Sequence, residues 1–122
     1  MSRVYDFIKE SGVFYVLTAN NNLPFGRPFG AIMEHNDKLY ISTADTKQVY
    51  HQIKENANIQ LLAFRPDTGS WVRVSGTAIE TTSLPLKQMM LNACPVLSKH
   101  FASADAPHYN LFEITITYAE HH

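Results

Sequence analysis

Strand-like runs follow one another in this sequence with connections too short for a helical crossover, and this spacing restricts the fold more than any other feature. The predicted strands are residues 13–19, 25–34, 39–43, 59–64, 71–81 and 111–118. The run Asn20-Asn21-Asn22 before Pro24 marks one tight turn, and residues 66–70 mark another. Because parallel neighbours need a crossover of about a dozen residues or more, consecutive strands are predicted to pair antiparallel.

Two of these strands have distinctive patterns. The run 25–34 contains Gly26, Pro28 and Gly30, which are unusual inside a strand and indicate a sheet edge, a bulge or close approach to the backbone. The run 111–118 alternates cleanly. This alternation predicts one face of the strand that contains Phe112, Ile114, Ile116 and Tyr118.

Short helices are predicted between the strands. Ser2 is the expected cap of the first and Gly12 its end, while Asp45 with Gln48 forms a capping box for a helix over 47–55. Pro85 begins a third, which Pro95 stops. Six strands with short helices predict an α+β, mainly β fold: a six-stranded antiparallel β-barrel, forming a single domain over residues 1–122.

Composition restricts the function as well as the fold. A chain of 122 residues, 45% hydrophobic, builds one modest core, so a large ligand is expected to need a wall from a second subunit. A net charge of −1 argues against nucleic-acid binding. Apolar runs such as 13–17 are far shorter than the ~20 residues that span a bilayer, which predicts no membrane partner.

The single cysteine, Cys94, makes no intrachain disulfide possible and agrees with a reducing compartment. With no signal peptide recognisable at the start of the chain, the expected location is cytoplasmic. The terminal Glu120-His121-His122 is either native or part of a purification tag, and no function is assigned to it.

The strongest anion-site candidate runs from Ser42 to Gln48, where a strand ends and a helix begins. Hydroxyl groups, backbone N–H groups and Lys47 converge there, and a helix N-terminus favours negative charge. A phosphate fits this arrangement. The alternative is that Asp45 or Thr46 caps the helix and Lys47 is solvated.

Two further segments carry candidate ligand contacts. In Arg27-Pro28-Phe29-Gly30, the arginine suits a phosphate and the low backbone suits a flat ring, although an exposed edge strand explains the same residues. In the strand from Trp71 to Gly76, Trp71 shares a face with Arg73 and Ser75. That face is expected to contact a ligand or a subunit, or to cover the end of the barrel.

Other chemistries lack the necessary patterns. The histidines outside the terminal pair form no i, i+3 or i, i+4 ligand pair, so no metal site is predicted. No Gly-x-Ser-x-Gly, GxGxxG or Walker motif is present, which leaves hydrolase, Rossmann and P-loop functions without support.

Four segments in this order resemble the pyridoxamine 5'-phosphate oxidase-like proteins, whose fold is the FMN-binding split barrel. They are residues 27–30 (RPFG), 39–43 (LYIST), 46–56 (TKQVYHQIKEN) and 71–78 (WVRVSGTA). The resemblance covers roughly residues 4–118 and points to the small flavin-reductase-like or nitroimidazole-resistance-like branch.

This resemblance implies a homodimer with FMN bound at its interface. By position, the implied cofactor-binding residues are Arg27, Pro28, Phe29, Ser42, Thr43, Thr46, Lys47, Gln48 and Trp71. Lys47 is the first choice for the phosphate, Gln48 stands where relatives often carry a cation, and Trp71 is placed to stack on the flavin.

The implied function is an FMN-binding oxidoreductase in which NADH or NADPH reduces a small-molecule acceptor and no catalytic side chain is required beyond the flavin. True pyridoxamine phosphate oxidation is not expected, because the chain ends almost directly after the last strand. The alternative is a non-catalytic protein that binds flavin, haem or a deazaflavin for electron transfer or sensing.

Overall fold

In the computed structural model, which describes residues 2–122, strands form most of the chain and helices lie between them. The helices are α1 (Ser2–Ser11), α2 (Gln48–Glu55) and α3 (Leu84–Ala93), with a 3₁₀ turn at Pro95–Lys99. The strands are β1 (Phe14–Asn20), β2 (Leu23–Phe29), β3 (Met33–His35), β4 (Lys38–Thr43), β5 (Asn58–Arg65), β6 (Ser70–Thr81) and β7 (Asn110–His121). None of these helices is both long enough and apolar enough to cross a membrane.

All pairings in the sheet are antiparallel, as the short connections predicted, and the strand order is β2-β1-β5-β6-β7-β4-β3. The sheet has seven strands rather than six, because the run predicted as one strand over 25–34 is divided. Residues 30–32 are not hydrogen-bonded in the sheet. As a result, β2 is the edge strand on one side of the sheet and β3 is the edge strand on the other. Gly30 thus marks the break in the run, whereas Gly26 and Pro28 lie within β2, which is an edge strand.

The main hydrophobic core lies on the concave face of the sheet. Strands from both halves of the sheet order contribute fully buried residues, among them Val16 of β1, Ile41 of β4 and Ile114 of β7, with Ile8 of α1 packed into the same cluster. Because the two halves share one core, the sheet must curl around it. This is the predicted split barrel.

A second, smaller cluster packs under α3 and the 3₁₀ turn. Met90 and Leu97 pack there with Tyr40 and Leu111 of the sheet. The hydroxyl group of Tyr109 donates to the carbonyl oxygen of Lys87 at 2.8 Å. These contacts fix the segment between α3 and β7, which the sequence left ambiguous, against the barrel.

A β-bulge lies between β6 and β7. Ser75 faces Tyr118 but Gly76 faces Ile116, so Thr117 is the extra residue. Beyond the bulge the face reverses: Tyr118 is 62% exposed and Ala119 packs against the core. The predicted alternation is therefore correct through Ile116 and wrong at Tyr118.

Strand β7 also continues beyond its predicted end at 118. His122 and Trp71 exchange two backbone hydrogen bonds of 2.9 Å, and their rings stack 4.3 Å apart. Arg73 donates to Glu120 from Nε at 2.8 Å and from Nη2 at 3.0 Å. The hydrogen bonds from Arg73 and His122 lower the pKa of Glu120 to about 2. The three terminal residues are thus paired with β6.

Candidate functional site

A pocket of about 480 Å³ opens between the β2–β3 link, the end of β4, the start of α2 and the segment after α3. This volume is within the range of roughly 300–1,000 Å³ typical of small-molecule sites. The lining residues are Arg27, Pro28, Phe29, Gly30, Ala31, Ser42, Thr43, Ala44, Lys47, Val49, Val96, Leu97, His100 and Phe101. Six of the nine residues predicted to bind a cofactor are in this set.

The polar end of the pocket is at the junction of β4 and α2. Ser42 and Thr43 are 9% and 7% exposed, and both line the pocket. The Ser42 Oγ atom is buried and has no hydrogen-bond partner among residues 2–122. A buried hydroxyl group without a partner is costly unless a ligand satisfies it.

Two sources of positive potential lie at the same strand-to-helix junction. Lys47, whose side chain lines the pocket, is the N-cap of α2, and no side chain caps the helix there. The first backbone N–H groups of a helix have no intrahelical partner, and they favour an anion. Ser42 and Lys47 thus line one pocket at the strand-to-helix junction, and the anion site predicted there stays a prediction.

The predicted capping box is wrong. Asp45 does not cap α2: its Oδ1 lies 2.6 Å from Nδ1 of His108, and its backbone N–H donates to Oδ1 of Asn110 at 2.9 Å. Asp45 thus attaches the β4–α2 turn to the start of β7. The N-terminus of α2 consequently stays uncapped on the side of the pocket.

A carboxylate behind α2 strengthens this attachment. Glu80 accepts hydrogen bonds from Asn110 at 2.8 Å, Tyr50 at 2.7 Å and Lys54 at 3.1 Å. Burial opposes ionisation of Glu80, but these three donors outweigh it and lower the pKa of the carboxyl group. The charged form of Glu80 therefore holds α2 and β7 together below the pocket.

Arg27 forms the second polar element, on the inner side of β2. Its Nη1 donates to the carbonyl oxygen of Val16 at 3.0 Å and to Oγ1 of Thr18 at 3.1 Å, and its Nη2 donates to Oε1 of Gln52. The guanidinium group thus links β2, β1 and α2, and it also lines the pocket.

An apolar wall faces these polar groups, and sequence reasoning missed it. Val96, Leu97 and Phe101 follow α3, and Phe101 stacks on Tyr109 with their centroids 4.6 Å apart. Phe29 is a further apolar residue of the lining, and its ring packs against that of Phe14. The apolar residues after Pro95 were the available signal, but they follow neither a helical nor a strand period.

Three predicted residues lie outside this lining. Thr46 on the β4–α2 turn and Gln48 at the first position of α2 are both exposed. Trp71 lies on the outer face of β6, where its ring stacks on His122 and lies 5.2 Å from the guanidinium carbon of Arg73. The face that Trp71 shares with Arg73 and Ser75 is therefore the partly exposed one, as predicted, whereas Val72 and Val74 are buried.

The fold is thus a split barrel whose pocket combines a buried polar end, the cationic side chains of Arg27 and Lys47, and apolar residues that follow α3. The sequence profile of the family described as "Pyridoxamine 5'-phosphate oxidase" matches residues 2–122, so the protein belongs to this family. None of the curated proteins matches the sequence.

Solved structures agree with this fold. A NimC/NimA family protein from Clostridium acetobutylicum has a TM-score of 0.87 and 32% identity, with 94% of this chain and 81% of that chain covered. General Stress Protein 26 from Bacillus anthracis has a TM-score of 0.82 and 19% identity, covering 98% and 91%. A FAD-binding protein from Mesorhizobium loti has a TM-score of 0.72 and 17% identity, covering 98% and 91%.

Proposed function

We propose that this protein binds FMN in the pocket and is an oxidoreductase that passes electrons from NADH or NADPH to a small-molecule acceptor. The observation that carries the proposal is the buried Ser42 hydroxyl group, which has no hydrogen-bond partner among residues 2–122 and belongs to the same pocket lining as Lys47, the N-cap residue of α2. This arrangement suits a phosphate ester. The membership in the pyridoxamine 5'-phosphate oxidase family supports a phosphate-bearing flavin as its source.

The pocket residues divide between the two parts of such a ligand. Ser42, Thr43 and Lys47 hold the phosphate. Thr46 and Gln48, which are exposed beside the pocket, contact the part of the ligand that extends out of it. The Arg27 guanidinium group also reaches the phosphate, and Pro28 and Phe29 lie along the remainder of the molecule. Bound flavin supplies the exchange of electrons, and the chain binds, orients and shields it.

A second copy of this chain is the proposed partner. The outer sheet face carries the exposed apolar residues Tyr15 (47%), Phe64 (53%) and Tyr118 (62%) on three different strands. This face reaches the pocket, because Tyr15 is paired with Pro28, which lines it. A second copy that packs on this outer face closes the open side of the pocket. Trp71 of that second copy then lies at the interface. The proposed location of this homodimer is the cytoplasm.

FMN binding tests the proposal directly. We expect the purified protein, after incubation with FMN and desalting, to retain about one FMN per chain, because charge-assisted phosphate contacts are among the strong hydrogen bonds. The measurement is the visible spectrum with protein quantified independently. If NADH or NADPH bleaches the visible absorption of the bound flavin under argon, and an added electron acceptor restores that absorption, the protein is a reductase.

The same spectrum separates the alternatives. Retained flavin that NADH and NADPH leave oxidised would indicate a non-catalytic flavoprotein. A Soret band would indicate haem. No chromophore retained after loading would contradict the proposed cofactor.

Dimerisation gives an independent prediction. Tyr118→Lys is expected to shift the protein from dimer to monomer, because it places a charge in the apolar outer face without disturbing the monomer core. The control is Leu84→Lys on α3, an equally polar change at a residue that is 51% exposed outside this face. Light scattering after size-exclusion chromatography measures the mass of each. A wild-type monomer, or a dimeric Tyr118→Lys variant, would contradict the proposed interface.

A further inference from the structure

Among residues 2–122, the hydrogen-bond partners of the partly buried Arg27 guanidinium group are all neutral. Its partners are a backbone carbonyl oxygen, the hydroxyl group of Thr18 and the amide oxygen of Gln52. Thr18 and Gln52 are 2% and 6% exposed, and the Thr18 hydroxyl group itself donates to Gln52 Oε1 at 2.8 Å. One buried amide oxygen therefore anchors both the arginine and the threonine.

No carboxylate compensates this cation. Arg27 forms no ion pair with any of residues 2–122, and the lining of the pocket, which contains Arg27, Lys47 and His100, includes neither Asp nor Glu. Burial lowers the pKa of the Arg27 guanidinium, as expected when a cation loses water without gaining an opposite charge. Partial burial of an uncompensated cation is unfavourable unless an anion enters the site.

We infer that Gln52 is a positioning residue, which fixes Arg27 through hydrogen bonds while leaving its positive charge available to an anionic ligand in the pocket. A glutamate at position 52 would accept the same two hydrogen bonds but would cancel that charge. The side chain also connects Arg27 to α2, whose N-cap residue, Lys47, lines the same pocket as Arg27. This inference rests on the proposed function, because it takes the anion to be the phosphate of FMN.

Gln52→Glu tests the inference with almost no change of shape. We expect its affinity for FMN to fall about 10-fold or more, as for loss of one charge-assisted contact, and its affinity for riboflavin, which lacks the phosphate, to stay unchanged. Quenching of flavin fluorescence measures both. A merely structural role would weaken both ligands equally, and that result would overturn the inference.

Two further variants complete the experiment. Gln88→Glu makes the same charge change on the exposed face of α3 and should bind both ligands as the wild type does. Gln52→Met removes the amide acceptor without adding charge, and it should also lose FMN affinity selectively because the guanidinium group loses its anchor. Thermal melts show that each variant is folded.

The outcomes separate the two claims. Wild-type protein that does not bind FMN contradicts the proposed function. Wild-type protein that binds FMN, together with a folded Gln52→Glu or Gln52→Met variant of unchanged FMN affinity, overturns only the role assigned to Gln52.

Discussion

Gly76→Ala is expected to destabilise the protein by about 1 to 3 kcal/mol, the usual cost of overpacking a core. In a chain of this size that is a fall of roughly 4 to 12 °C in the unfolding midpoint. A Cβ atom at position 76 would clash with the carbonyl oxygen of Thr115 and would lie 3.2 Å from Cγ2 of Ile114. Both neighbours belong to β7 beside the bulge, where backbone and core side chain have little freedom to move.

The matched control for this change is Gly30→Ala. Position 30 also lies in the irregular part of the barrel, but a Cβ atom there would have no heavy atom within 4 Å. Its unfolding midpoint, followed by circular dichroism, should stay within a few degrees of the wild type. Equal midpoints for the two variants would show that the close approach at Gly76 does not constrain the fold.

Lys47→Ala is expected to weaken FMN binding about 10- to 150-fold, because a charge-assisted hydrogen bond contributes roughly 1.5 to 3 kcal/mol. Lys47 is the lysine that lines the pocket, at the start of α2. Fluorescence titration with FMN measures the loss. Riboflavin should bind the variant as it binds the wild type, since the contact is with the phosphate.

Lys54→Ala is the control for this variant. Lys54 lies on the same helix but at its other end, where it pairs with Glu80 at 3.1 Å outside the pocket. The two variants have the same net charge, so a general electrostatic effect would weaken FMN equally in both. Wild-type FMN affinity in Lys47→Ala would remove this residue from the proposed phosphate site.

Particular residues show where sequence reasoning succeeded. The alternation of Trp71 to Gly76 predicted the faces of β6 correctly, because a strand has a fixed period of two. The same period misplaced Tyr118, since the extra residue at Thr117 reverses the face and becomes visible only when β6 and β7 are paired. The strand predicted over 25–34 failed for a similar reason: Gly30 and its neighbours mark an interruption without showing that the chain then crosses to the opposite edge.

Some residues of the candidate site were predictable from the sequence, and others were not. Ser42, Thr43 and Lys47 are near one another in the chain, so a strand followed by a helix was enough to predict their grouping. The wall after α3 was not predictable from a local pattern, because Leu97 and Phe101 reach the pocket through packing on Tyr40 and Tyr109. Gln52 gave no signal of its own, since its role depends on Arg27 and Thr18, which belong to two other elements.

The sequence by itself determined the antiparallel pairing, the barrel fold and the polar strand-to-helix junction, because turn length, side-chain period and helix polarity are local properties of the chain. Only the tertiary structure decided which edges β2 and β3 occupy, where the bulge reverses β7, and which distant residues complete the pocket around Ser42 and Arg27. Those features depend on contacts between elements far apart in sequence, whose free energy arises only when the sheet curls and the core excludes water.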